Sequence, residues 1–212
     1  MTAPVDSSDS SRRSFRALAR RVRAGTGMVG ALAALATVTG APADATTVRF
    51  NGGFETPAVG PGSFRTFAAG RAIGAWTVGG GSVDLAGRGF WQAAEGVQAL
   101  DLNGSGPGAI TQTFGTLPLV KYEIAYRLAG DPGGEPAVKS GVVRIGGEPA
   151  QDFSFDVTGR SSTDMGYVRK KVTFIATGLS TTVEFLSTVP GHHGPVIDDI
   201  TVKSCLAIIC HI

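Results

Sequence analysis

Phe90-Trp91-Gln92, followed by Glu95, gathers the chemical types that hold a sugar. A flat aromatic ring stacks on the apolar C–H face of a pyranose, while amide and carboxylate groups at its rim bond the hydroxyls. Gly89 and Gly96 flank the stretch and mark it as a loop. Asn103 offers a further amide, and Asp84, Arg127, Tyr167 and His193 are polar candidates for the same surface, although spacing alone does not place them. Trp91 divides evenly between this role and core packing. Trp76 sits in an alternating run and is expected in the core.

Catalytic chemistry has less to work with. The chain has three His, one of them in the terminal tail, and no Ser in a G-x-S-x-G elbow. Adjacent side chains such as His192 and His193 point apart in an extended chain, which disfavours one shared metal. Asp101-Leu102-Asn103-Gly104-Ser105-Gly106 opens like an EF-hand loop, but its twelfth position is Gln112, which lacks the bidentate carboxylate that calcium needs there. Nothing in the sequence suggests the facing carboxyl pair of a glycosidase. The expectation is a binding module rather than an enzyme. A structural or adhesive protein working through protein contacts is the alternative, and a glycan-active enzyme ranks last.

The elements that must position these residues are strands. After residue 46 no helical period persists, and alternation recurs instead. Tyr122, Ile124, Tyr126 and Leu128 share one face, as do Val143 and Ile145, Phe153 and Phe155, Val172, Phe174 and Ala176, and Val183 and Phe185. The last run is Val196, Asp198, Ile200 and Val202. Earlier candidates are 48–50, 63–67, 75–78, 83–86, 97–103 and 109–114. Turn signals separate them, among them Asp131-Pro132-Gly133-Gly134 and Gly146-Gly147. Many short strands with frequent turns predict an all-β antiparallel sandwich or jelly roll over residues 46–203.

Residues 1–45 read as a signal peptide. Arg12-Arg13 within Ser11–Phe15 resembles a twin-arginine motif, Ala24–Thr39 is mildly apolar, and Ala43-Asp44-Ala45 fits small-x-small cleavage. This segment carries six Arg against three Asp. The remainder carries thirteen Lys plus Arg against fourteen Asp plus Glu, so its net charge is −1 (13 − 14). A near-neutral chain without a basic stripe does not suit nucleic acid. Secretion is expected, with no membrane span left after cleavage. The tail, 204–212, holds the cysteine pair Cys205 and Cys210, which can close a small loop in an oxidising compartment.

Taken in order, NGGFETP (51–57), AWTV (75–78), GSVDL (81–85), FWQAAEGVQALDLNG (90–104), GAITQTF (108–114), YEIAYRLAGDPGGEPAVK (122–139), FSFDVTG (153–159), DMGYV (164–168), KVTFIATG (171–178) and GPVIDDITV (194–202) resemble the choice-of-anchor C family. That family is similar to the plant cell-wall domain of unknown function 642 and to galactose-binding-like jelly rolls. The resemblance implies a non-catalytic extracellular domain that takes a polysaccharide or glycan. It also implies a structural calcium joining the first and last strands, through the Gly53 carbonyl and the Glu55 and Asp198 carboxylates. Asp198, counted onto the apolar face of its strand, needs a partner. A cation would serve, and so would main-chain N–H groups or an Arg.

Overall fold

The structure is a computed structural model in which residues 47–48 and 51–205 are described. The expected signal peptide and Cys210 lie outside those residues. Thirteen strands are formed: β1 (Thr47–Val48), β2 (Phe64–Ala68), β3 (Ala72–Ile73), β4 (Trp76–Gly80), β5 (Ser82–Ala86), β6 (Ala99–Asp101), β7 (Ala109–Gly115), β8 (Lys121–Gly130), β9 (Val138–Ile145), β10 (Glu148–Asp156), β11 (Val168–Ile175), β12 (Ser180–Ser187) and β13 (Pro195–Cys205). Among the described residues there is no helix. One sheet runs β11-β8-β13-β6-β5-β2, with β1 also paired to β13, and the other runs β10-β9-β12-β7-β4-β3. All strand pairs are antiparallel. The expected all-β sandwich of jelly-roll type is what forms.

Period-2 alternation explains how each strand chooses its faces. On β8, Tyr122, Ile124, Tyr126 and Leu128 are buried, while Lys121, Glu123 and Arg127 are half-buried. Facing strands complete an aromatic core in which Phe185 lies 5.0 Å from Tyr126 and 6.0 Å from Trp76, ring centre to ring centre. Trp76 is in the core, as its alternating strand required. The β9–β10 hairpin turns on Gly146 and Gly147, both at positive φ (62° and 91°), a conformation only glycine adopts without strain in so tight a loop.

One irregularity departs from simple counting. The register of β13 against β8 shifts between Asp198 and Thr201, and Asp199 has φ 47°. This is a β-bulge, where an extra residue reverses the parity of the strand. Val196 pairs with Ala129 and Asp198 with Arg127, on the outer face of the sheet, whereas Val202 pairs with Ile124 on the core face. Asp198 therefore shares a face with Val196 but not with Val202, contrary to the count made through the bulge.

The outer face is nonetheless buried at Ala86, Ala99, Ala129, Val196 and Asp198, because residues 87–98 fold back across it. The main-chain N–H groups of Ala94 and Glu95 donate to Asp198 Oδ2 at 2.8 and 2.9 Å. The bulge also releases the N–H of Ile200, which donates to the Gly52 carbonyl at 3.0 Å. That bond draws the 51–59 segment against the last strand, and Phe54 drops fully buried into the core, 6.2 Å from Trp76. Phe54→Ala is expected to cost about 3–5 kcal/mol in urea denaturation. A loss below about 1 kcal/mol would show that this segment is not part of the core.

Candidate functional site

The long β5–β6 connection carries most of the residues singled out in the sequence, and three polar side chains fix its path. Asp198 holds Ala94 and Glu95 from below. Glu55 Oε1 accepts from the N–H groups of Val97 and Gln98 at 2.8 and 3.0 Å. The buried Gln98 side chain donates to the Phe54 and Pro57 carbonyls and accepts from Val59 N–H. Further along, Gln92 N–H donates to the Ser162 carbonyl at 2.7 Å, and Gln92 Oε1 accepts from Met165 N–H at 3.0 Å. The loop is thereby pinned to the 51–59 segment on one side and to the β10–β11 connection on the other.

Pinning exposes an aromatic face. Phe90 lies 5.0 Å from Trp91 and 5.2 Å from Phe64, which is 50% exposed. Trp91 is half-buried and packs its inner side on the core cluster. Beside it runs an open groove of about 420 Å³ lined by Arg88, Trp91, Gln92, Val97, Ser162 and Thr163, among others. Phe90, Trp91 and Gln92 are thus brought together as expected. Gln92 offers this surface only its amide N–H₂, since its oxygen is committed to Met165. Phe64 was missed, although a signal existed. Phe64 and Phe67 are three residues apart on one strand, so they must face opposite ways, and Phe67 is the buried one.

Two expected sugar-binding residues lie elsewhere. Asn103 is fully buried past the end of β6 that pairs with Asp84, while Trp91 lies toward the Ala86–Ala99 end. Its Nδ2 donates to the Val189 and Gly191 carbonyls at 2.9 and 2.8 Å, so Asn103 ties a loop rather than facing solvent. His193, near the same end, pairs through Nδ1 with Asp131 Oδ2 at 2.6 Å. Glu95 joins the residues expected to hold a cation.

Gly53, Glu55, Glu95 and Asp198 converge where the first described loop meets the bulge. A small recess of about 130 Å³ there is lined by Asn51, Gly53, Glu55, Glu95 and Asp199, among others. A Cβ on Gly53 would collide with Glu95 Oε2 and stand 3.9 Å from Asp198 Oδ1. Both carboxylates therefore face the Gly53 backbone. Among the described residues, none of Glu55, Glu95 and Asp198 makes an ion pair with a cationic side chain. Nor is any group of three or more His, Cys, Asp or Glu side chains arranged to hold a metal by itself. Asp198 is satisfied instead by main-chain N–H groups, those of Ala94, Glu95 and Asp199. Burial outweighs these bonds, and with the nearby Glu95 charge it pushes the Asp198 carboxyl up from 3.8 to about 7.

Cys205, which ends β13, is buried and not free. Among the described residues, no helix is long and apolar enough to cross a membrane.

The raised Asp198 carboxyl has a defined consequence for stability. The unfolded chain releases this proton near 3.8, while the folded chain keeps it to about 7. Across that window the folded state binds more protons, so in chelator stability should fall as pH rises. Asp198→Asn should flatten that part of the melting-temperature profile. An unchanged slope in the variant would assign the effect to other groups.

A curated relative, halomucin of Haloquadratum walsbyi (strain DSM 16790 / HBSQ001), is 31% identical over 134 residues. The match takes in 62% of this chain but only 1% of halomucin. Among solved structures, a family 35 carbohydrate-binding module from Clostridium thermocellum aligns with TM-score 0.45 and 12% identity, over 66% of this chain and 97% of the module. The xylan-binding domain CBM22-1 of Paenibacillus barcinonensis Xyn10C aligns with TM-score 0.45 and 18% identity, over 71% and 99%. The model of the DUF642 family, described as a protein of unknown function, matches residues 49–203, and this chain belongs to that family.

Proposed function

We propose that this protein is a non-catalytic module that binds carbohydrate outside the cell, through the groove beside Trp91. The supporting observation is the half-buried indole, fixed from behind and extended by Phe90 and Phe64, with Ser162, Thr163, Arg88 and Gln92 around it. A rigid ring offers the apolar face of a sugar a surface at little cost in conformational entropy. Hydroxyl and amide groups at its edge suit the sugar's own hydroxyls. The groove is open and shallow, a shape that accepts a segment within a long chain as readily as a chain end.

The joint behind the groove is proposed to take a structural calcium. The Gly53 carbonyl with the Glu55 and Asp198 carboxylates would supply hard oxygens of the kind this ion prefers. Like charges that face one another without a cation among the described residues are the feature that supports it. When bound, the ion would offset the burial and the Glu95 charge that now raise Asp198. It would hold the 51–59 segment, the loop and the last strand as one unit.

A second feature favours protein contacts. Leu117, Leu119, Ile175 and Leu179 are 62%, 87%, 62% and 75% exposed. The two loops at this end are bonded to each other, Thr116 to Leu179 and Leu119 to Ala176. An adhesive or self-associating protein would use such an apolar end.

Retention on a glycan array and on insoluble polysaccharides tests the first reading. Trp91→Ala should lower affinity by about 2 kcal/mol or more, roughly thirtyfold. Wild-type retention by the variant, or no retention on any glycan, would overturn it; an oligomer in sedimentation would then favour the apolar end. Calcium should raise the melting temperature relative to chelator, and Glu55→Gln should abolish that gain. Equal melting curves for the wild-type protein in calcium and chelator would remove the ion from the account.

A further inference from the structure

Next to the Trp91 groove, across the Gln92–Ala93 stretch, lies a second open groove of about 420 Å³, lined by Gln92, Ala93, Ala94, Arg127, Asp164, Gly166 and Tyr167. Arg127 enters it from the outer face of β8, which is paired with β11. In that pair Arg169 stands directly opposite Arg127, so two guanidinium groups project from adjacent positions of one face. Like charges directly opposite across strands are destabilising. The same two strands show what stability alone would select: two residues along, Lys171 meets Glu123 at 3.1 Å.

The surroundings neutralise the pair only in part. Arg127 approaches Asp199 at 3.8 Å, with both side chains about two-fifths exposed, a geometry worth little in water. Arg169 is exposed and has no ion-pair or hydrogen-bond partner for its side chain among the described residues. Asp164 brings a negative charge to the groove, but it is paired with Arg160 at 3.5 Å. Arg127 also faces Asp198 across the β8–β13 pair, so Arg169 is the guanidinium left without a counter-charge among the described residues. The amide N–H₂ of Gln92 has no protein partner among the described residues, so the groove also holds an uncommitted hydrogen-bond donor.

We infer that this face, through Arg127 and Arg169, binds the carboxylate groups of an acidic polysaccharide. The planar fork of a guanidinium matches a carboxylate in two parallel hydrogen bonds, which a compact ammonium cannot do. A chain whose one sugar stacks on Trp91 would place its neighbours across the Gln92–Ala93 stretch toward the arginines. The ligand class is thereby narrowed to uronate-containing glycans. This inference rests on the carbohydrate-binding reading and adds the charge of the sugar to it.

Isothermal titration of the full chain, in chelator, with polygalacturonate, its fully methyl-esterified form and neutral xylan tests it. Polygalacturonate should bind more tightly than its methyl ester, and added salt should weaken it. Arg169→Gln should lower polygalacturonate affinity roughly ten- to a hundredfold, the worth of hydrogen bonds to a charged group, and leave xylan unchanged. Arg169→Lys should recover only part of the loss. Equal affinity for ester and free acid, or an Arg169→Gln variant that binds polygalacturonate as the wild type does, would overturn the acidic class and leave carbohydrate binding standing. Failure to bind any of the glycans would overturn both.

Discussion

The bulge at Asp198–Thr201 is the constraint on which the rest of the site depends. One extra residue in β13 turns Asp198 to the outer face of its sheet and frees the N–H of Ile200. The carboxylate captures two main-chain donors of the β5–β6 connection, and the N–H captures the Gly52 carbonyl. A connection of a dozen residues without regular structure would otherwise sample many conformations, at about 1–2 kcal/mol of backbone entropy per residue ordered. Glu55 and Gln98 complete the attachment from the other side. The bearing of Trp91 is thus set mainly by side chains outside the groove, with Gln92 both lining it and tying it to Met165.

That arrangement carries an electrostatic cost. Asp198 is taken out of water and receives main-chain N–H groups, which stabilise its charge, but burial still prevails and the carboxyl rises to about 7. Glu95 adds to the rise because its own carboxylate is held against the Gly53 backbone beside it. The same crowding bears on position 53, where a side chain would push the flexible Glu95 carboxylate aside. A proton on Asp198 relieves that crowding, and a calcium ion at the proposed site would do the same; each would secure the opening segment, the loop and the last strand together.

The sandwich was legible in the sequence because each strand reports its own burial. Tyr122 to Leu128 on β8 alternate without interruption, and the paired glycines at 146 and 147 mark the hairpin between β9 and β10. What misled was parity carried through an irregular strand. Ile197 and Ile200 are both buried although three residues apart, and two such positions signal a bulge between them. Asn103 misled for another reason. An amide in a Gly-rich turn has the right chemistry for a sugar, yet the same chemistry satisfies the carbonyls of a neighbouring loop. Only the contact with Val189 and Gly191, nearly ninety residues away, decides between them. Local sequence carries no record of such contacts. Glu95 follows the same rule, because Gly53 and Asp198, which define its role, lie far away along the chain.

Stability and recognition impose different demands on the outer face of β8 and β11, and the contrast locates where function has acted. Near one end the face is built as a stable sheet would be, with Lys171 and Glu123 in contact. Two residues along, Arg127 and Arg169 oppose each other, and an acid at position 169 would relieve the repulsion. A folded protein tolerates that small penalty at no benefit to itself. It becomes intelligible when the missing negative charge is supplied from outside, and the position of the pair narrows the source. The guanidinium groups lie across the Gln92–Ala93 stretch from Trp91, on ground held by the same tether to Ser162 and Met165. On the proposed reading, a ring that would take an apolar sugar face and a fork that would take a carboxylate are two halves of one surface. The bulged strand beneath holds both halves in register.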